Sequence, residues 1–439
     1  MGGRGDQGWL RPLAVLVAAS FVVNLGFSAM SPLFPYLVLA IKGVLREPPE
    51  AAGTVEAHVG AVELGALMAA FMAARAPVAG LVGFLSDALG KRGVIMLGMG
   101  IYTAAALGFL AFNDLTAFVG LRALQGVASA MVWPVAEAYL AEVTPKWSRG
   151  KAISIYSSSM LIAQVAGPSL GVAVYKLCLA AVGPGGLILA LKAPMALLAA
   201  TCAVSTITLL LLPPISRGST RVEGLRGVIR GLRDLPPTVS RSLKVMYING
   251  LVNGLAMGIL NTAAVAYVVE EVVSDPLYIG IFFTVFSLVA VPATMLAGWL
   301  TDRVRRRKPV ALVGYFAGRA AMFLLPLTRS YVLLLAVGVL ISMVFSLSAP
   351  SMRALQADLA PPGLRGTVFG VQQLFYNSGV LMGALMGGYI VEAYAERSFR
   401  LLGYDLTGYI VPFWLAGGMG LLTASLFALY VEEPSPHQD

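Results

Sequence analysis

Gly83-Phe84-Leu85-Ser86-Asp87-Ala88-Leu89-Gly90-Lys91-Arg92 returns in the second half of the chain as Gly298-Trp299-Leu300-Thr301-Asp302-Arg303-Val304-Arg305-Arg306-Arg307. Each copy closes one long apolar segment and opens the next. Downstream the repeat continues at a separation one residue larger: Pro134, Glu142, Arg149, Gly150, Gly167 and Gly171 recur, all at one constant offset, as Pro350, Asp358, Arg365, Gly366, Gly383 and Gly387. A short polar turn repeated between hydrophobic segments, in a chain that repeats as a whole, is the pattern of a duplicated membrane protein.

Composition agrees. The 439 residues are 58% hydrophobic and 12% charged, with a mean hydropathy of +0.81, about half the charge of a soluble domain. Segments long enough to cross a bilayer lie near 11–40, 60–85, 93–112, 115–140, 152–180 and 189–212, and again near 244–270, 277–300, 309–327, 331–353, 367–391 and 408–431. In hydrocarbon each must satisfy its own backbone hydrogen bonds, so each is expected to be helical. The predicted fold class is therefore all-α: twelve transmembrane helices in two pseudo-symmetric six-helix bundles. Residues 1–212 form the first bundle, 213–243 a basic linker, and 244–439 the second bundle with a short tail.

The basic residues set the expected orientation. With the amino terminus in the cytoplasm, 21 lysines and arginines fall inside and six (Lys42, Arg46, Lys176, Arg329, Arg397, Arg400) fall outside. The positive-inside rule then puts both termini in the cytoplasm of a multi-pass plasma-membrane protein. The net charge of +9 is explained by this topology, and with no soluble basic domain no nucleic-acid partner is expected. The first span is expected to be a retained anchor, being too long for a cleavable signal. Within the linker, Leu225, Val228, Ile229 and Leu232 share a stripe opposite the arginines, which reads either as a helix on the membrane surface or as a solvated connector. Cys178, Cys202, His58 and His437 form no ligand cluster, so no metal and no cofactor are expected. No nucleophile, base and orienting partner assemble, which argues against an enzyme.

Two halves of six spans with this loop motif resemble the major facilitator superfamily of secondary transporters, over nearly the whole chain. In that family the turn between the second and third helices acts as a conformational latch. The resemblance carries that role to Gly83, Asp87, Gly90 and Arg92, and in the second copy to Gly298, Asp302 and Arg303. The copies depart from the pattern at Ala88 and Arg305. Arg122-Ala123-Leu124-Gln125-Gly126 in the fourth span looks like the intramembrane arginine motif of proton-coupled members. Gly167-Pro168-Ser169-Leu170-Gly171 in the fifth resembles the bending element of antiporters, with Pro168 as the bend and Gly167 and Gly171 as close-packing positions. Leu25-Gly26 and Pro32-Leu33-Phe34-Pro35 resemble the twelve-helix drug/proton antiporter branch. Expected proton-coupling residues are Arg122, Glu137 and Glu63. For Glu137 the competing reading is an ion pair near the inner surface, and for Glu63 an exposed helix end. Lys192 is expected to snorkel outward.

The family's cavity lies among helices 1, 4, 5, 7, 8, 10 and 11. Candidates to line it are Asn24, Phe27, Trp133, Gln164, Asn249, Asn253, Gln373, Tyr376 and Asn377. The amides either bind substrate or bond between helices, each contributing on the order of 1 kcal/mol in the second case. The expected activity is proton-driven export of small apolar or amphipathic compounds by alternating access. The alternative is uniport or symport of a polar metabolite such as a sugar, and a more distant one is a non-transporting receptor or a membrane enzyme. Expected partners are a small-molecule substrate, protons and the bilayer, for a monomeric carrier.

Overall fold

The computed structural model describes residues 8–50, 55–214, 236–304, 307–360, 365–401 and 403–432. Within helices and strands it leaves out the side chains at 80, 83, 84, 87, 88, 146, 301, 302, 304, 349, 365–367, 401 and 404. The described residues are helical nearly throughout. The helices are α1 (Leu10–Met30), α2 (Phe34–Ile41), α3 (Ala61–Ala111), α4 (Leu115–Val143), α5 (Arg149–Val182), α6 (Leu187–Leu209), α7 (Pro237–Tyr267), α8 (Pro276–Val304), α9 (Arg307–Met322), α10 (Tyr331–Leu359), α11 (Arg365–Tyr394) and α12 (Ile410–Tyr430). They provide 12 spans long and apolar enough to cross a membrane. α3 supplies two of these, joined at Gly90, whose φ of 75° interrupts the helix. Only glycine takes that backbone conformation without steric cost.

Local chemistry explains the breaks. The predicted first span is divided at residues 31–33 into α1 and α2, where Pro32 and Pro35 lack backbone donors. The Asp114 carboxylate accepts from Ala117 N at 2.8 Å to start α4, and Ser330 Oγ accepts from Leu333 N at 3.3 Å to start α10, each satisfying an amide that the first turn leaves unpaired. Gly183, at φ 73°, ends α5. α7 runs into a π-helical turn, Val268–Val272. A short antiparallel hairpin, β1 (Ser398–Leu401) and β2 (Tyr404–Thr407), joins α11 to α12, a small addition to the all-α expectation. Many large apolar side chains stay exposed, Leu177, Ile207, Val332 and Leu429 among them. On helices of this length that surface suits lipid.

The chain divides into two compact units. The first holds residues 1–56, 70–219 and 274–284, and the second holds 57–69, 220–273 and 285–439. Most of the basic segment between residues 213 and 243, including the Leu225 to Leu232 stripe, lies outside the described residues.

In the first unit α1 packs on α5 and α6. Gly167 and Gly171 bring the α5 backbone against Leu25, Ser28 and Ala29, where an added Cβ would collide with main-chain atoms. In the second unit α7 packs on α11 through Gly254, Gly258, Gly379, Gly383 and Gly387, which close on Leu251, Leu255, Ile259, Tyr376 and Val380. The sequence repeat is thus a repeat of packing: Gly167 and Gly171 in one half, and Gly383 and Gly387 in the other, seat equivalent helix pairs. Ion pairs repeat as well. Lys91 pairs with Glu142, and Arg307 Nη1 lies 2.5 Å from Asp358 Oδ2, both partners displaced by the offset of the repeat.

Candidate transport site

In the first unit, the 3.6-residue helical period places Gln125 one turn from Arg122, on the same face of α4. Arg122 Nη1 donates to Gln125 Oε1 at 3.1 Å, and the guanidinium lies 4.7 Å from the centroid of the Phe34 ring. Phe34 packs edge-on against Phe109 and stacks with Phe118. A cation at membrane depth is costly. Here an aromatic face and an amide oxygen offset that cost, and no carboxylate is among the described contacts. Glu137, fifteen residues further along the same helix and hence about 22 Å away, is exposed and within electrostatic reach of Tyr156. Arg122 and Glu137 are therefore not brought together.

A second aromatic group gathers around the buried Tyr102. Trp133 Nε1 donates to Tyr102 Oη at 3.3 Å, and Phe27 meets Tyr102 edge-on with centroids 5.0 Å apart. Trp133 and Tyr156 line a narrow cleft with Leu16, Val23, Met99 and Val132. Asn24 Nδ2 donates to Ser20 O on its own helix at 2.8 Å, and Gln164 is exposed on α5. A cavity of about 630 Å³ opens at Arg46, Asn113, Pro184 and Lys192, and none of the predicted cavity residues lines it. Lys192 is 7% exposed. Rather than snorkelling, its Nζ donates to Leu110 O at 3.1 Å and Phe112 O at 2.5 Å, because the last carbonyls of α3 need donors there.

The repeated turns show what their bases touch. Arg92 Nη2 donates to Leu210 O at 2.9 Å, at the carboxyl end of α6, while Lys91 reaches Glu142 on α4. Arg303 lies over the Trp299 ring one turn back, 5.1 Å from its centroid. The surroundings of Gly83 and the side chains of Asp87 and Asp302 are not among those described. Gly298 is exposed on one side, with nothing near its would-be Cβ.

In the second unit the amides gather on the α7–α11 seam. Asn253 Nδ2 donates to Asn249 O at 2.8 Å, and Gln373 Nε2 donates to Asn377 Oδ1 at 2.8 Å. The Gln372 side chain lies against Gly250, and the Tyr376 carbonyl against Gly254. Asn249 is 2% exposed, and neither its Nδ2 nor Gln372 Oε1 has a hydrogen-bond partner among the described residues. Glu63 is half-buried in the first turn of α3, close to where Gly65 meets Ala384 of α11.

Three groups whose partners the sequence does not reveal are organised by contacts remote in sequence. His58 is buried and bonded to Glu270, 212 residues away. Arg319, 3% exposed, lies over Phe345 at 5.0 Å. Tyr102 joins Phe27 to Trp133. Spacing gives no signal for such pairs.

Among the described residues, twelve spans long and apolar enough to cross a membrane, with a polar turn repeated in each half of the sequence, define a multi-pass integral membrane protein. The chain belongs to the Major Facilitator Superfamily, whose family model matches residues 16–244 and 246–439. Among curated relatives, Multidrug resistance protein 2 of Bacillus subtilis (strain 168) is 21% identical over 396 residues, covering 89% of this chain and 91% of its own. Among solved structures, a D-xylose-proton symporter superposes with a TM-score of 0.72 at 15% identity, over 97% of this chain and 98% of its own. The nucleoside transporter NupG superposes with a TM-score of 0.68 at 13% identity, over 96% and 99%. At these identities the two structures speak for the fold alone.

Proposed function

We propose that this chain exports small apolar or amphipathic compounds in exchange for protons, by alternating access, as a monomer in the plasma membrane with both termini cytoplasmic. The observation that carries this reading is the lining of the first unit. The half-buried rings of Phe27 and Trp133 meet Tyr102, and Trp133 borders an apolar cleft. Such surfaces bind flat, greasy, weakly polar molecules by area and π contact more than by fixed hydrogen bonds. Similarity to a protein named for multidrug resistance along most of both chains supports the same direction. In this scheme Arg122 is the cation whose neighbours change as a proton arrives. Glu137 and Glu63 are the carboxylates to be protonated, Pro168 with Gly167 and Gly171 provides the flexing element, and Asp87 and Asp302 with their glycines form the latch.

A second reading is favoured by one observation. The Asn249 donor and the Gln372 acceptor are buried without partners among the described residues, as befits a site for a hydroxylated or heterocyclic polar solute. Under that reading Asn249, Asn253, Gln373, Tyr376 and Asn377 hold substrate. Uptake into inverted vesicles decides between the two, using a panel of lipophilic cations and sugars with and without an imposed pH gradient. Gradient-driven accumulation of the cations supports export by antiport. Gradient-insensitive passage of one polar solute overturns it in favour of the amide site.

A further inference from the structure

His58 is 7% exposed and sits in the 3-10 turn Ala57–Gly60 that leads into α3. Both of its ring nitrogens face carboxylates. Nδ1 is 3.0 and 3.1 Å from the two oxygens of Glu270, and Nε2 is 3.3 Å from Glu396 Oε1. The His58 backbone N–H donates to Glu270 Oε2 at 3.1 Å, and Tyr409 Oη donates to the same oxygen at 3.1 Å. Burial and the Glu270 carboxylate raise the Tyr409 phenol above its ordinary range, so it remains a neutral donor. Glu270 lies in the π-helical turn that ends α7, an irregularity frequent at functional positions. One imidazole therefore holds together the residue 57–69 segment, the end of α7, the end of α11 and the start of α12, all within the second unit.

The neighbouring charges are mostly acidic. The segment itself contributes Glu63, the π turn Glu270 and Glu271, and the α11 end Glu392 and Glu396. The nearby cations are engaged with other groups. Arg397 lies over Tyr394, and Arg400 faces Asp405. Arg329 donates to Asp405 O and is within electrostatic reach of Glu271. A neutral imidazole has one N–H and one lone pair, so it donates to one carboxylate and turns the lone pair on the other. The imidazolium donates to both.

We propose that His58, with Glu270 and Glu396, is a proton-binding site that tethers residues 57–69 to α7, α11 and α12 when occupied and loosens that contact when empty. The proton enters and leaves through Glu396, whose side chain is 79% exposed, so the site reads the pH of the compartment facing this end. The contact is complete when the imidazole carries the second proton and donates to both carboxylates, and it weakens when that proton is lost at higher pH. The inference is independent of which substrate is carried, and its test uses no transport.

Amide hydrogen exchange is measured on the purified full chain between pH 5 and 8, corrected for the intrinsic base-catalysed rate. In the wild type, protection of residues 57–69 is expected to fall by on the order of tenfold across the window. In His58→Gln it is expected to be flat. In Glu396→Gln, a change at an exposed side chain that leaves the packing intact, the midpoint moves to lower pH, because one anion stabilising the imidazolium is gone. A pH-independent wild-type protection, or a fall retained in His58→Gln, overturns the proposal. If His58→Gln does not fold, an unshifted midpoint in Glu396→Gln overturns it.

Discussion

Arg122 illustrates how a side chain's chemistry and its surroundings divide the work of a site. Its charge is fixed by the guanidinium, while its partners, a π face and an amide, come from α2 and from one turn along α4. Lysine carries the same charge on a compact ammonium that cannot spread over a ring. Arg122→Ala is expected to abolish gradient-driven accumulation of lipophilic cations in proteoliposomes, and Arg122→Lys to restore a minor part. The paired bases of the two turns allow a second residue-level test. Lys91→Glu or Glu142→Lys alone is expected to lower stability by up to about 1 kcal/mol, the range for a partly exposed ion pair. The double exchange is expected to recover most of it, read as the unfolding midpoint in detergent. The Arg307–Asp358 pair is expected to behave alike. The acidic members of this repeat are visible in the sequence at its constant offset, whereas their bonding to Lys91 and Arg307 is a product of folding.

At the scale of elements, glycine spacing decides which helices touch. Gly171 of α5 and Gly383 of α11 each face the backbone of a partner helix with no room for a methyl group. Gly383→Ala is expected to cost about 1–3 kcal/mol by overpacking, and Gly171→Leu or Gly383→Leu to abolish the monodisperse folded protein on size exclusion. Gly100, with open space at its Cβ position, is the control. Gly100→Ala is expected to be neutral or to stabilise the helix by up to about 1 kcal/mol. Helix existence was legible because apolar runs of this length have one backbone solution in lipid. Two features escaped. The division of the first span at 31–33 follows from two prolines within an otherwise apolar run, and the π turn at Val268–Val272 follows from packing that makes Glu270 face His58.

For the molecule as a whole, the two functional readings predict different pH and substrate behaviour. Under antiport, Asn249→Ala combined with Gln372→Ala is expected to leave gradient-driven cation accumulation within about twofold of wild type, since amide bonds across helices contribute little singly. Under the polar-solute reading the same double substitution is expected to reduce transport of that solute by about tenfold or more, as unpaired buried polar groups would otherwise reject the wrong ligand. Initial rates in one vesicle preparation distinguish the two. The sequence by itself determined the number of spans, their helical state, the duplication and the family, because hydropathy, backbone satisfaction in hydrocarbon and a repeated polar turn are local properties that add along the chain. Only the tertiary structure decided that Arg122 rests on Phe34, that Lys192 caps α3, and that His58 is held between Glu270 and Glu396. Those contacts join residues far apart along the chain, and the free energy that selects them lies in desolvation and packing, which no local pattern encodes.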